Sequence, residues 1–135
     1  MKTSNRERRS DTSVQGLVCV VDGDRGIRNS LFTLLGTLGI MAATFSTAEE
    51  ALDRLKVEKP SFLIVELDLP GIGGFELKEA LDKGGILVPV IGLTSEADEE
   101  KKKRATKLGF LELVEKPFVY WSVVERVQET LGAHG

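Results

Sequence analysis

Four acids, two hydroxyls and one lysine stand at equivalent points along the chain, each just past a short apolar run. Asp22 and Asp24 follow Leu17 to Val21, and Glu66 and Asp68 follow Phe62 to Val65. Thr94 and Ser95 follow Ile86 to Leu93, and Lys116 comes just after Phe110 to Val114. Carboxylate oxygens are hard ligands that suit Mg²⁺, a hydroxyl holds a phosphoryl oxygen, and lysine supplies a point charge. Brought together, these residues would form a site for a metal ion and a phosphoryl group. Singly, Asp, Thr and Lys at such points are commonly turn and capping residues. Their joint placement carries the signal.

What must position them is a set of alternating strands and helices. Phe62-Leu63-Ile64-Val65 is an apolar run of strand type, ending in Glu66-Leu67-Asp68 and stopped by Pro70 and glycines 71, 73 and 74. Leu17 to Val21 reads as a strand, Ile40 to Phe45 as a second, Ile86 to Leu93 as a fourth and Phe110 to Val114 as a fifth. Between them, helical spacing links Ile27, Leu31, Leu34, Leu35 and Leu38, then Ala48, Ala51, Leu52 and Leu55, then Phe75, Leu77, Ala80 and Leu81. Ser46 with Glu49 has capping-box spacing. Another helix is expected from about Glu96 to Leu108, where acids precede Lys101 to Arg104 and Glu99 stands four before Lys103. Its charges suit a solvated, self-supporting face. The last runs from about Val119 to Leu131, with Tyr120, Val124, Val127 and Leu131 along one stripe.

Five strands alternating with five helices predict an α/β doubly wound, flavodoxin-like parallel sheet, a (βα)5 architecture. Right-handed crossovers put every strand end on one edge, where open α/β folds place their sites. Residues 1–16 are polar and aperiodic and are expected to form a flexible tail; residues 17–135 form the domain.

At 135 residues, 41% hydrophobic and 29% charged, the chain has the make-up of an ordinary soluble globular domain. A net charge of -3 offers no basic footprint for nucleic acid, although Arg6, Arg8 and Arg9 lie near the start. No apolar stretch approaches the ~20 residues of a membrane span, and no signal core opens the chain. Cys19 is the only cysteine, which excludes an internal disulfide, and its apolar surroundings mark it as a buried small residue. A cytoplasmic location is expected.

The sequence resembles the response regulator receiver domain of two-component signalling, the CheY-like family, from about Leu17 to Leu131. The resemblance rests on Val20-Val21-Asp22, Leu69-Pro70-Gly71 with Gly74, Pro89-Val90-Ile91-Gly92-Leu93-Thr94 and Glu115-Lys116-Pro117-Phe118. It implies phosphoryl transfer from a histidine kinase to an aspartate four residues before the proline. Mg²⁺ would be held by an acidic pair after the first strand. Thr94 and Lys116 would sense the phosphoryl group and reshape the face made by the fourth helix, fifth strand and fifth helix. A kinase or a downstream effector would dock on that face.

The chain departs from this pattern at the chemical centre. Glu66 stands at the phosphoacceptor position, and Gly23 replaces a direct metal ligand. Leu113 stands where many members carry an aromatic switch residue. Asp22, Thr94 and Lys116 are kept, while Asp24 and Asp68 are rim acids of the pocket. With Gly23 in place of a carboxylate, Asp22, Glu66 and Lys116 come closer to charge balance without metal. Glu66 is therefore expected to pair with Lys116 in the space of the phosphoryl group. The acids left for Mg²⁺ are Asp22, Glu66 and Asp68, so metal binding is expected to be weak or absent.

This points to an atypical receiver, not an enzyme, that acts through protein contacts independently of aspartyl phosphorylation. Glu66 would either mimic the activated state or leave the site inert. Leu113 favours a fixed conformation. One alternative is a working Mg²⁺-dependent receiver with an altered acceptor, Glu66 or Asp68. Another is a haloacid dehalogenase-type phosphatase, since Asp22-Gly23-Asp24 resembles that family's Asp-x-Asp motif. Trp121, with Val119, is a candidate anchor for a partner or a homodimer. Only residues 132–135 follow Leu131, so the chain is either a stand-alone receiver or a piece of a longer protein.

Overall fold

The computed structural model describes residues 16–132. The tail expected over residues 1–16 falls outside these, save for Gly16. Five parallel strands run β1 (Leu17–Val21), β2 (Ala42–Phe45), β3 (Pro60–Glu66), β4 (Val90–Thr94) and β5 (Glu112–Glu115). The helices between and after them are α1 (Arg25–Thr37), α2 (Ala48–Leu55), α3 (Gly74–Lys83), α4 (Glu99–Lys107) and α5 (Tyr120–Gly132). Sheet order is β2-β1-β3-β4-β5, the doubly wound arrangement expected.

The central strands are apolar throughout because both faces are covered. Leu17 to Val21 and Phe62 to Val65 are buried without a break. On one face Val18, Val20, Phe62, Ile64, Ile91 and Leu93 meet α1 and α5 through Leu31, Leu35, Val123, Val124 and Val127. On the other, Cys19, Val21, Leu63, Val65 and Val90 meet α2 and α3 through Ala51, Leu55, Leu77 and Leu81. Burial pushes the Cys19 thiol up to about 12, with Arg54 pulling weakly the other way.

Several boundaries move. The fourth strand begins at Val90, not Ile86, because Pro89 has no N–H for the ladder and pairing with β3 starts at Leu63–Val90. The second strand starts at Ala42, two residues later than expected. The fifth starts at Glu112, since the Phe110 N–H closes the end of α4 on the Ala105 carbonyl. The cap of α2 is Thr47, whose hydroxyl accepts from Glu50 N at 3.2 Å, so the Ser46–Glu49 spacing is displaced by one residue. The fourth helix begins at Glu99 and not Glu96, capped by Asp98, and Glu99 pairs with Lys102 at 3.6 Å, not with Lys103. Residues 96–98 are spent in a turn around Thr94.

Gly73 supplies a close approach that no other residue allows. A Cβ there would run into the Leu67 carbonyl, so the β3–α3 loop folds back tightly beside the strand end. This turn fixes where Glu66 and Asp68 lie.

Candidate functional site

Parallel pairing sets Val21 beside Val65 and Glu66 beside Leu93, so the ends of β1, β3 and β4 form one edge. Glu115, paired with Thr94, brings Lys116 to the same edge. The strand-end residues singled out from the sequence come to this edge, and all but Asp24 fall into two groups.

The first group is built on Lys116. Its Nζ lies 2.9 Å from Asp22 Oδ2 and 3.0 Å from Glu66 Oε2. The second Glu66 oxygen, Oε1, accepts from the Gly23 N–H at 3.0 Å. Asp22 is wholly buried, and its Oδ1 accepts from Asp24 N at 2.8 Å. Asp22 Oδ2 has no hydrogen bond and meets the ammonium only as an ion pair. Burial, with Glu66 nearby, pushes the Asp22 carboxyl above its usual range despite the Asp24 N–H and the Lys116 ammonium beside it. Burial by itself would lower Lys116, but the two carboxylates outweigh it and hold the lysine above its ordinary value. The two shifts differ in origin: burial is the main cause at Asp22, whereas at Lys116 it is the two carboxylates that share the ammonium.

The second group is built on Thr94, which is also wholly buried. Its hydroxyl does not reach Glu66. It donates to Asp68 Oδ2 at 2.8 Å and accepts from Lys101 Nζ at 3.1 Å. Lys101 also lies 3.3 Å from Asp68 Oδ1 and donates to the Glu96 carbonyl at 3.0 Å. Desolvation would raise Asp68, but Thr94, Lys101 and the Ser95 N–H hold its carboxyl below the usual range. Sequence reasoning missed Lys101 by assigning the basic run Lys101 to Arg104 to solvent. The available signal was position, because the first turn of a helix after β4 must start at the same sheet edge as Thr94.

The structure distributes the expected acids over separate partners. Asp22, Glu66 and Asp68 do not converge as a metal-binding set: the first two face Lys116 and the third faces Lys101. Among the described residues no group of three or more His, Cys, Asp or Glu side chains stands where it could hold a metal ion. Asp24 is not a free pocket acid, because its carboxylate caps α1 by accepting from Ile27 N at 3.1 Å. Of the two acids of the Asp-x-Asp stretch, Asp22 is buried and Asp24 caps the helix.

Leu113 is half-buried and packs with Leu67, Phe75 and Ala105 beneath α4. Trp121 is 43% exposed and Val119 67% exposed, so neither is absorbed by the core. A groove of about 590 Å³ lies between α3 and α4, with Leu67, Asp68 and Phe75 on one side and Lys101, Arg104 and Lys107 on the other.

The model of the response regulator receiver domain matches residues 18–128. The chain belongs to this family of two-component signalling domains. Among relatives, it is 30% identical over 109 residues to nodulation protein W of Bradyrhizobium diazoefficiens, covering 81% of this chain and 48% of that protein. It is 34% identical over 121 residues to an uncharacterized 14.6 kDa protein from the sodA1 3' region of Leptolyngbya boryana, covering 87% of this chain and 92% of that one. Among solved structures, the receiver domain of the Francisella response regulator 1452 superposes with a TM-score of 0.82 at 25% identity, over 90% of this chain and 100% of that one. The chain spans about half the length of the longer curated relatives it matches first. No helix of the described residues is long and apolar enough to cross a membrane.

Proposed function

We propose that this receiver signals through protein contacts, without phosphorylation of an aspartate in the usual position. The observation that carries the reading is the placement of Glu66. Its two oxygens are committed to Lys116 and to the Gly23 N–H, at 3.0 Å each. The lysine that would meet an incoming phosphoryl group is thereby already neutralised from within. A divalent ion does not fit beside it. Among the described residues the one buried side-chain oxygen without a hydrogen bond, Asp22 Oδ2, lies 2.9 Å from an ammonium that repels cations. Asp68, the remaining acid, is turned away toward Thr94 and Lys101.

Leu113 adds to this reading. Packed under α4 against Ala105, an aliphatic side chain lacks the ring that would swing between two positions. The α4–β5–α5 face is then held in one conformation and presented to a signalling partner, a histidine kinase or an effector, in the cytoplasm. Trp121 and Val119 at the start of α5 supply exposed apolar surface for such a contact or for a homodimer.

Asp68 keeps a second reading in view, because its carboxylate is 37% exposed and stands beside both a hydroxyl and a lysine. Incubation with a small acyl phosphate and Mg²⁺, followed by intact-chain mass measurement, separates the two. The expected result is no phosphate adduct. Labelling abolished by Glu66→Gln or by Asp68→Asn would overturn the proposal and identify the acceptor.

A further inference from the structure

Helix α4 is poorly anchored by apolar contact. Of its nine residues only Ala105 is buried, and Leu108 just beyond it adds a half-buried contact. By contrast α5 buries four residues and α3 five. A helix with so little apolar seat must be held by polar contacts, and these concentrate at two points. Midway, the Arg104 guanidinium lies 4.5 Å from the centre of the Phe75 ring and 3.3 Å from Glu79 Oε2 on α3. Both side chains of that ion pair are well exposed, so it contributes little.

The stronger point is the first turn. From there Lys101 reaches back to three segments: Asp68 in the β3–α3 loop, Thr94 at the end of β4, and the Glu96 carbonyl in the β4–α4 turn. Asp68 in turn accepts from Thr94 and from the Ser95 N–H, at 2.8 and 3.4 Å. Each member of the triangle meets the other two, and Thr94 at its centre is sealed from water. A charged group on a buried hydroxyl is held in one geometry only while its partners stay in place.

We infer that Lys101 is a positioning residue that, with Asp68, clasps the first turn of α4 to Thr94, so that the seat of α4 is set by this triangle and not by Glu66. The division of labour follows from reach. Glu66 is consumed by Lys116 and Gly23, which leaves Thr94 to be satisfied by the acid two residues on. The clasp itself stands on geometry; its importance for signalling rests on the proposed function, because α4 belongs to the face presented to partners.

The test compares Lys101→Met, which keeps the aliphatic stem and removes the charge, with Lys102→Met, an exposed control one residue away. Amide hydrogen exchange across residues 97–108 is the first readout. Lys101→Met should lower protection there by roughly tenfold while the β1 and β3 amides stay unchanged, and Lys102→Met should leave both as they are. Asp68→Asn supplies an independent route to the same loosening, should the lysine variant fold poorly. The second readout is Thr94 chemical shift against pH. In the wild type it should titrate with Asp68, whose carboxyl faces Lys101 from α4, Thr94 from β4 and the Ser95 N–H just beyond it; in Asp68→Asn that titration should vanish. Equal α4 protection in wild type, Lys101→Met and Asp68→Asn would overturn the clasp. Acyl phosphate labelling of the wild type would instead overturn the proposed function and leave the clasp standing.

Discussion

At the scale of the residue, one methylene and one missing side chain redirect the whole site. The extra length of Glu66 lets its carboxylate span from Lys116 to the Gly23 N–H, and Gly23 leaves that N–H unobstructed. A Cβ added at Gly23 would meet Glu66 Oε1 at 3.7 Å and Leu69 Cδ2 at 3.8 Å, which is ordinary contact. The position thus has room for a carboxylate. The double variant Gly23→Asp/Glu66→Asp should accordingly gain Mg²⁺ binding, measurable by calorimetry, and take a phosphate adduct from an acyl phosphate that the wild type does not. Either single variant should gain less, since one keeps the long acid on Lys116 and the other lacks the ligand.

Asp68 gives the residue scale its pH dependence. Its folded pKa lies below the ordinary value of about 3.9, so its contribution to stability is present above that value and is lost as pH falls through the lowered folded pKa. The clasp should therefore be intact from neutrality to about pH 4 and open only below it, as followed by the Thr94 and Lys101 resonances. Asp22 behaves oppositely. Raised by burial, it is penalised when ionised, and that penalty fades as the solution becomes acid.

At the scale of the element, the absence of a side chain at Gly92 on β4 leaves room for the side chains of Phe110 and Leu113. A Cβ there would stand 2.9 Å from Phe110 Cε2 and 3.1 Å from Leu113 Cδ1. Gly92 is what allows Leu113 to lie inward beneath α4. Gly92→Ala should force Phe110 and Leu113 outward and lower stability by about 2 kcal/mol, or roughly 5–10 °C in thermal midpoint. Combining it with Leu113→Ala should recover part of the loss at this contact, which a thermal melt of the three variants would reveal. No recovery would mean that the clash falls on Phe110 alone.

At the scale of the whole molecule, the sheet and the helices on its two faces share the apolar core, while α4 and the start of α5 carry the surface that differs in kind. Val119 and Trp121 are exposed where the rest of α5 turns its apolar residues inward. Trp121→Ala should change stability by no more than about 1 kcal/mol in a thermal melt, because the side chain is exposed and outside the core clusters. It should weaken self-association or partner binding, as followed by sedimentation. Unchanged association would remove Trp121 from the interface.

The architecture was legible in the sequence because it depends on local pattern. Apolar runs such as Leu17 to Val21 and Phe62 to Val65 suit strands buried on both faces, and five strands alternating with helices suit one parallel sheet. The gathering of Asp22, Glu66, Thr94 and Lys116 at one edge follows from that topology, whereas the departure at Glu66 and Gly23 is visible only against the pattern of the receiver family. Partner choice within the edge does not. Whether Thr94 meets Glu66 or Asp68 turns on about 3 Å of side-chain reach and on a lysine from α4, seven residues beyond it. Spacing along the chain carries no information about such a choice, because competing carboxylates are alike in type and differ only in where the folded backbone aims them. Residue identity determined which charges share the edge; only tertiary structure decided that they separate into one pair of acids on Lys116 and a second cluster, Asp68 and Thr94, on Lys101.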